Sequence, residues 1–111
     1  MNATTPEVDV AQVARALEDG DAAVVDIREP DEYVAGHVPG VTAMPMSQLA
    51  GRVSELDRQA PVYLIGATGN RNLAVADYLN RAGFDAYSVA GGTAAWFRSG
   101  RPLERGASPD A

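Results

Sequence analysis

Apolar positions along the chain fall into short blocks, and the spacing within each block predicts an element. The segment 9–19 carries apolar residues at the i, i+3, i+4 and i+7 positions of a helix with one apolar face: Val10, Val13, Ala14 and Leu17. Asp9 and Gln12 have the spacing of a capping box, and Gly20 predicts the end of this helix. The nearly continuous apolar run 22–27 then predicts a strand that is buried on both faces.

The middle of the chain repeats this alternation. Residues 30–35 predict a single helical turn that begins with proline, and residues 41–44 predict a short strand. Ser47 is expected to cap a further helix, whose apolar residues lie at helical spacing: Leu49, Val53 and Leu56. The β-branched and aromatic run 62–65 predicts a central strand.

The last third adds two helices and a strand. A helix is predicted over about 72–82 with Gly83 at its end, followed by a strand at 86–89 and a short helix over 94–99 that Thr93 can cap. Four predicted strands therefore alternate with helices. This order is typical of a parallel sheet with helices on both faces, the α/β class.

Composition fits one domain with an ordinary core, because 46% of the 111 residues are hydrophobic and 22% are charged. We expect the domain to span 7–102, between flexible ends at 1–6 and 103–111. The formal net charge of −6 makes binding to nucleic acid or an anionic membrane surface unexpected. No apolar run approaches the ~20 residues that cross a bilayer, and no signal peptide is recognised, so we expect a cytoplasmic protein. The oligomeric state stays open.

The chain contains no cysteine and a single histidine. Disulfides, thiolate metal sites and thiol mechanisms are therefore excluded for this sequence. His37 has no nucleophile to serve as a base, so we interpret it as structural. With no carboxylate cluster at ligand spacing, neither a metal nor another cofactor is expected.

The segment after the central strand is the strongest candidate for chemistry. Two glycines and small side chains allow backbone N–H groups to converge there, and a helix N-terminus follows. Six residues form this predicted anion-binding loop: Gly66, Ala67, Thr68, Gly69, Asn70 and Arg71. The loop matches neither a Walker phosphate loop nor a dinucleotide fingerprint. Taken alone, it is equally consistent with a plain strand-to-helix connection.

Three segments in this order make the chain resemble a rhodanese domain over roughly residues 7–102. They are Asp-Ile-Arg-Glu-Pro-Asp-Glu-Tyr at 26–33 leading into Gly-His-Val-Pro-Gly at 36–40, the loop at 66–71, and Val-Ala-Gly-Gly-Thr-Ala-Ala-Trp at 89–96. The resemblance implies a five-stranded, mainly parallel sheet, of which the fifth strand rests on the family alone.

The resemblance also implies a reaction. An active rhodanese has a cysteine at the first loop position, and its thiolate takes a sulfane sulfur from a donor such as thiosulfate and passes it to a thiophile. Here that position is Gly66, and Asn72 stands where many active members have serine. By the same resemblance, Asp26 and Arg28 support the pocket wall. We favour instead a structural ion pair, with Glu29, Glu32 or the loop as candidate partners.

Two functional hypotheses follow. The first is a non-catalytic module that binds a small oxyanion, a sulfur-containing ligand or a protein partner through the loop. The second is a sulfurtransferase in which Gly66 replaces the nucleophilic cysteine. We favour the first. A phosphatase is disfavoured, because the loop is one residue shorter than the Cys-(x)5-Arg loop of related folds.

Aromatic and glycine residues near the C-terminus receive structural interpretations. Tyr33, Trp96 and Phe97 are expected to pack in the core or at its edge rather than to form a recognition patch. Gly91 and Gly92 are expected to allow a tight turn and close helix packing.

Overall fold

A computed structural model describes residues 6–68 and 70–106. In this part of the chain, five strands form one parallel sheet in the order β1-β5-β4-β2-β3. They are β1 (Glu7–Val8), β2 (Ala23–Asp26), β3 (Thr42–Ala43), β4 (Val62–Ile65) and β5 (Ala86–Val89). The predicted α/β class and the fifth strand are confirmed. That strand is β1, whose two residues are too few to show a period.

Four helices connect successive strands and a fifth follows β5: α1 (Val10–Asp19), α2 (Pro30–Ala35), α3 (Met46–Arg52), α4 (Asn70–Arg81) and α5 (Gly92–Arg98). The capping box of α1 is confirmed, since the amide of Gln12 donates to Asp9 Oδ1 at 2.9 Å and the amide of Asp9 donates to Gln12 Oε1 at 3.1 Å. Gly20 ends α1 in the left-handed conformation, with φ of 69°.

The predicted Ser47 cap is wrong. Helix α3 begins at Met46, and the amide of Met46 donates to the carbonyl of Ile27 at 2.9 Å. A carbonyl from the end of β2 therefore does what a capping side chain would do, and the Ser47 hydroxyl donates instead to Glu29 at 3.2 Å. The helix also ends at Arg52 and continues as a 3₁₀ turn, Val53–Glu55, so Leu56 lies outside it.

Two other helix starts differ from the prediction. Helix α4 begins at Asn70 rather than near residue 72. Helix α5 begins at Gly92, so Thr93 is a helical residue and not the cap. Loop carbonyls satisfy the first amides of α5: Thr93 donates to Gly66 at 2.8 Å and Ala94 donates to Ala67 at 3.0 Å.

Helices cover both faces of the sheet. Because successive strand residues point to opposite sides, each central strand contributes side chains to two hydrophobic clusters. In β4, Leu64 belongs to one hydrophobic cluster and Ile65 to the other. The first cluster packs under α3 and α4, with residues that include Leu49, Val75 and Leu79. The second packs under α1 and α5, with residues that include Val13 and Trp96. Neither face of the central strands is left to solvent.

The segment after α5 folds back on the domain. His37 and Glu104 exchange two backbone hydrogen bonds of 2.8 Å each, and the amide of Gly106 donates to Val34 at 2.8 Å. Backbone contacts thus continue past the predicted domain boundary at residue 102. Residues 1–5 and 107–111 lie outside the described residues, and flexibility of the two ends stays a prediction.

Within the described residues, no helix is both long and apolar enough to cross a membrane. The cytoplasmic location stays a prediction.

Candidate functional site

The predicted loop lies at the carboxyl end of the central strand β4. Gly66 follows the strand and is buried, Ala67 is half-buried, and Thr68 is exposed. Arg71 belongs to the first turn of α4, so the connection is shorter than the sequence indicated. Gly69 and the side chain of Asn70 lie outside the described residues.

Close contact between the loop and the start of α5 depends on Gly92. Its φ is 59°, and a Cβ atom there would lie 2.9 Å or less from the backbone of Gly66 and Ala67. Such a separation excludes any side chain at this position. The expected role of this glycine in close packing is confirmed.

Asp26 and Arg28 form a buried ion pair at the end of β2. The Arg28 guanidinium donates through Nη2 to Asp26 Oδ2 at 2.8 Å and through Nε to Oδ1 at 3.0 Å, and Nη2 also donates to the carbonyl of Gly36 at 2.7 Å. The Asp26 side chain has no exposed surface. The two residues do form an ion pair, although with each other rather than with Glu29, Glu32 or the loop.

A second, looser ion pair joins the start of α4 to α2. Arg71 Nη2 lies 3.5 Å from Glu32 Oε2, and the two side chains are 41% and 37% exposed. An exposed pair of this length contributes only about 0–1 kcal/mol to stability. The Arg71 guanidinium can therefore exchange Glu32 for another anion at little cost.

An open cavity of about 310 Å³ lies beside the loop. Its wall includes Arg28, Glu32, Ala67, Thr93, Phe97 and Leu103. The Thr93 hydroxyl oxygen is buried and has no hydrogen-bond partner among the described residues. A residue with a buried, unsatisfied hydroxyl thus lines a cavity whose wall also includes Ala67 of the candidate loop.

Phe97 corrects one prediction. Trp96 and Tyr33 are buried, as expected, but Phe97 is 65% exposed and lines the cavity. Consecutive helical residues point about 100° apart, so a short helix that buries Trp96 against the sheet turns Phe97 away from it.

Asn72 fills the space next to Gly66. Its side chain is fully buried, and its Nδ2 donates to the carbonyl of Val89 at 3.0 Å. Its Oδ1 faces Gly66 and has no hydrogen-bond partner in the part of the chain that the structure describes. From the sequence, Asn72 was notable only because many active rhodaneses have serine there. Its contact with Gly66 could not be predicted from the spacing of residues along the chain.

Comparison with known proteins places this loop in a family. A sequence model of the rhodanese-like domain matches residues 9–99. The chain belongs to the rhodanese-like domain family. It is 34% identical over 90 residues to the thiosulfate sulfurtransferase GlpE of Pseudoalteromonas translucida. The aligned region covers 80% of this chain and 86% of that protein.

Solved structures give the same assignment. A rhodanese-related protein from Thermoplasma volcanium superposes with a TM-score of 0.81 at 27% identity, covering 89% of this chain and 97% of that one. A thiosulfate sulfurtransferase from Pseudomonas aeruginosa gives a TM-score of 0.85 at 29% identity. That match covers 94% of this chain but 21% of the longer protein. The resemblance seen in the motifs is therefore confirmed.

In this rhodanese-like domain, the only histidine has structural contacts. The His37 ring stacks on Tyr33 with 3.8 Å between ring centroids, and His37 Nδ1 lies 2.8 Å from the carbonyl oxygen of Tyr33. Its Nε2 is 3.6 Å from a carboxylate oxygen of Glu104.

Burial raises the pKa of Tyr33, and the negative charges of Asp26 and Glu104 add to the shift.

The described residues contain no group of three or more His, Asp or Glu side chains that could hold a metal ion.

Proposed function

We propose that this rhodanese-like domain is a non-catalytic module that binds a small oxyanion, free or carried by a protein partner, in the cavity beside Ala67. Persulfide chemistry requires a thiolate, and the sequence has glycine at the loop position concerned and no cysteine elsewhere. Thr68 cannot substitute, because an alcohol ionises at far higher pH than a thiol.

The observation that carries the binding proposal is the unsatisfied hydroxyl of Thr93. A buried hydroxyl without a partner costs about 1–3 kcal/mol. Thr93 also lines the cavity, so turning its side chain toward the cavity would let an oxygen of a bound anion accept that hydrogen bond. The N-terminal end of α4 is near the same loop and favours negative charge. The cavity of about 310 Å³ is large enough for a tetrahedral oxyanion.

Arg71 is the cation that can turn to such a ligand. Its pairing with Glu32 is long and half-exposed, so an incoming anion competes with a weak partner. Arg28 is different, because its guanidinium already donates to Asp26 and to the carbonyl of Gly36. Arg28 also lines the cavity, but its donors are already engaged, so Arg71 is the arginine we assign to the ligand.

Isothermal titration calorimetry with sulfate and thiosulfate tests this assignment. Arg71→Ala is expected to weaken binding by roughly 1.5–3 kcal/mol, the range for a hydrogen bond to a charged group. Glu32→Gln is expected to strengthen binding, because it removes the competing carboxylate and keeps a side-chain oxygen for the Glu29 amide. The matched control is Arg52→Ala, which breaks a different exposed pair, with Glu55. Equal affinities in all four proteins would refute the site.

A peptide rich in aspartate and glutamate separates the two sources of the anion. Tighter binding of the peptide than of free sulfate, with the same loss in Arg71→Ala, would indicate a protein partner. Tighter binding of the free ion would indicate a small-molecule ligand.

The alternative is a sulfurtransferase in which Gly66 stands in place of a catalytic cysteine. It is favoured by the thiosulfate sulfurtransferases among the relatives. Its test is Gly66→Cys, alone and combined with Asn72→Ser, which should then turn over thiosulfate and cyanide and gain one sulfur atom by mass spectrometry; no turnover by either protein would count against the alternative. The crowding of residue 66 by Asn72 supports the non-catalytic proposal instead.

A further inference from the structure

Position 66 is closed to a side chain by one neighbour. A Cβ atom built on Gly66 would approach Asn72 Oδ1 more closely than the 3.0 Å that real Cβ contacts keep. The next nearest atoms are ordinary neighbours: Asn72 Cγ at 3.5 Å and Ile27 Cγ1 at 3.8 Å. Among these neighbours, Asn72 Oδ1 is the one that obstructs a Cβ atom at 66.

The Asn72 carboxamide is not free to move away. Its side chain is fully buried, and Nδ2 is tied to the carbonyl of Val89 at 3.0 Å. Turning the carboxamide over would break that bond and put an oxygen against the Val89 carbonyl. The bond thus fixes Oδ1 in place against Gly66, where it lacks a hydrogen-bond donor among the described residues.

A buried acceptor without a donor is unfavourable, so some other gain must keep Asn72 in this position. That gain is packing. With glycine at 66, a shorter residue at 72 would leave a void beside the fully buried Ile27, and voids in protein interiors are destabilising.

We propose that Gly66 and Asn72 are a mutually dependent pair, in which the Asn72 carboxamide occupies the space of the side chain that residue 66 lacks. Asn72 then determines that position 66 accepts only glycine. It follows that Gly66→Cys by itself does not rebuild a thiol site, and that residue 72 must be shortened at the same time. This inference goes beyond the proposed function and does not depend on whether the cavity binds an oxyanion.

A double-mutant cycle measured by urea unfolding tests the pair. The four proteins are the parent, Gly66→Cys, Asn72→Ser and the double variant. Serine keeps a polar group but removes the carboxamide that meets the new Cβ. We expect the folding equilibrium constant of the double variant to exceed the value predicted from the two single variants by at least about tenfold. Additivity within about a factor of two would overturn the proposal.

Gly66→Ala with Asn72→Ala repeats the cycle with the smallest possible side chain, should Gly66→Cys fail to fold. We expect the same excess of at least about tenfold in this cycle, and additivity within about a factor of two would again overturn the proposal. The matched control combines Asn72→Ser with Gly51→Ala, because a Cβ at Gly51 has no neighbour within 4 Å. That control is expected to be additive.

Thiosulfate treatment followed by mass spectrometry gives a readout at the new thiol. The introduced thiolate attacks the outer sulfur of thiosulfate, a new S–S bond forms, and sulfite leaves with the electrons of the broken S–S bond. We expect one added sulfur atom in the double variant. A single Gly66→Cys variant that folds like the parent and takes up sulfur equally well would overturn the proposal.

Discussion

The Asp26 carboxylate is buried at the end of β2, and the Arg28 guanidinium neutralises it through three hydrogen bonds of 2.8, 3.0 and 3.3 Å. Arg28→Ala would leave that carboxylate buried without a counter-charge. We expect a loss of about 3–5 kcal/mol in the free energy of unfolding, measured by urea denaturation.

Arg52→Ala is the control for this prediction, because its ion pair with Glu55 is exposed. It should cost no more than about 1 kcal/mol. Equal losses in the two variants would mean that burial does not determine the strength of the Asp26–Arg28 pair.

The raised pKa of Tyr33 makes the stability of the folded protein depend on pH under alkaline conditions. Burial first, and then the charges of Asp26 and Glu104, raises its pKa in the folded protein. The folded state therefore keeps this proton more tightly than the unfolded state. The resulting stabilisation is present below the unfolded tyrosine pKa of about 10 and is lost as pH rises through the higher native pKa.

Tyr33→Phe is thus expected to reduce the loss of stability between about pH 9 and 11, followed by urea unfolding at a series of pH values. Tyr78→Phe is the matched control, since that ring is 44% exposed. The same change of pH slope in both variants would contradict burial as the cause.

At the scale of single elements, alanine substitutions at two glycines should change the free energy of unfolding in opposite directions. Gly20 ends α1 with φ of 69°, a conformation that strains any residue with a Cβ. Gly51 is an exposed residue within α3 and has open space around it. We expect Gly20→Ala to lower the free energy of unfolding by about 1 kcal/mol, and Gly51→Ala to raise it by about 0.5–1 kcal/mol. Thermal unfolding checks both, and changes of the same sign would contradict these local assignments.

Local signals explain which elements were predictable. Helix α1 carries its own capping box and its own terminating glycine, so its limits agree with the pattern. The starts of α3 and α5 were misplaced because their first amides are satisfied by carbonyls of Ile27 and Gly66, which are distant in sequence. No rule based on neighbouring residues could have located them.

The candidate site, too, was predictable from the sequence only in part. The loop and its missing nucleophile followed from the sequence motifs, and so did the family. The side-chain contacts around the loop did not, because they depend on the packing of whole elements. Glu32 of α2 pairs with Arg71 of α4, Asn72 packs against Gly66, and Phe97 turns away from the sheet to line the cavity.

At the scale of the whole molecule, the parallel sheet explains why these residues meet. All neighbouring strands run the same way, and in the register of β2 and β4, Asp26 lies beside Ile65. The carboxyl ends of the two central strands therefore open at one edge, where ligands bind in sheets of this kind. The candidate loop lies at this edge, with glycine at position 66 and no cysteine in the sequence.

An NMR titration of ¹⁵N-labelled protein with sodium sulfate, against sodium chloride at equal ionic strength, is the decisive test of an oxyanion site at the loop. We expect saturable shifts at the backbone amides of the loop and the cavity wall, chiefly Ala67, Arg71 and Thr93, with no such response to chloride. Shifts that do not saturate, or that are absent from these amides, would contradict an oxyanion site at the loop.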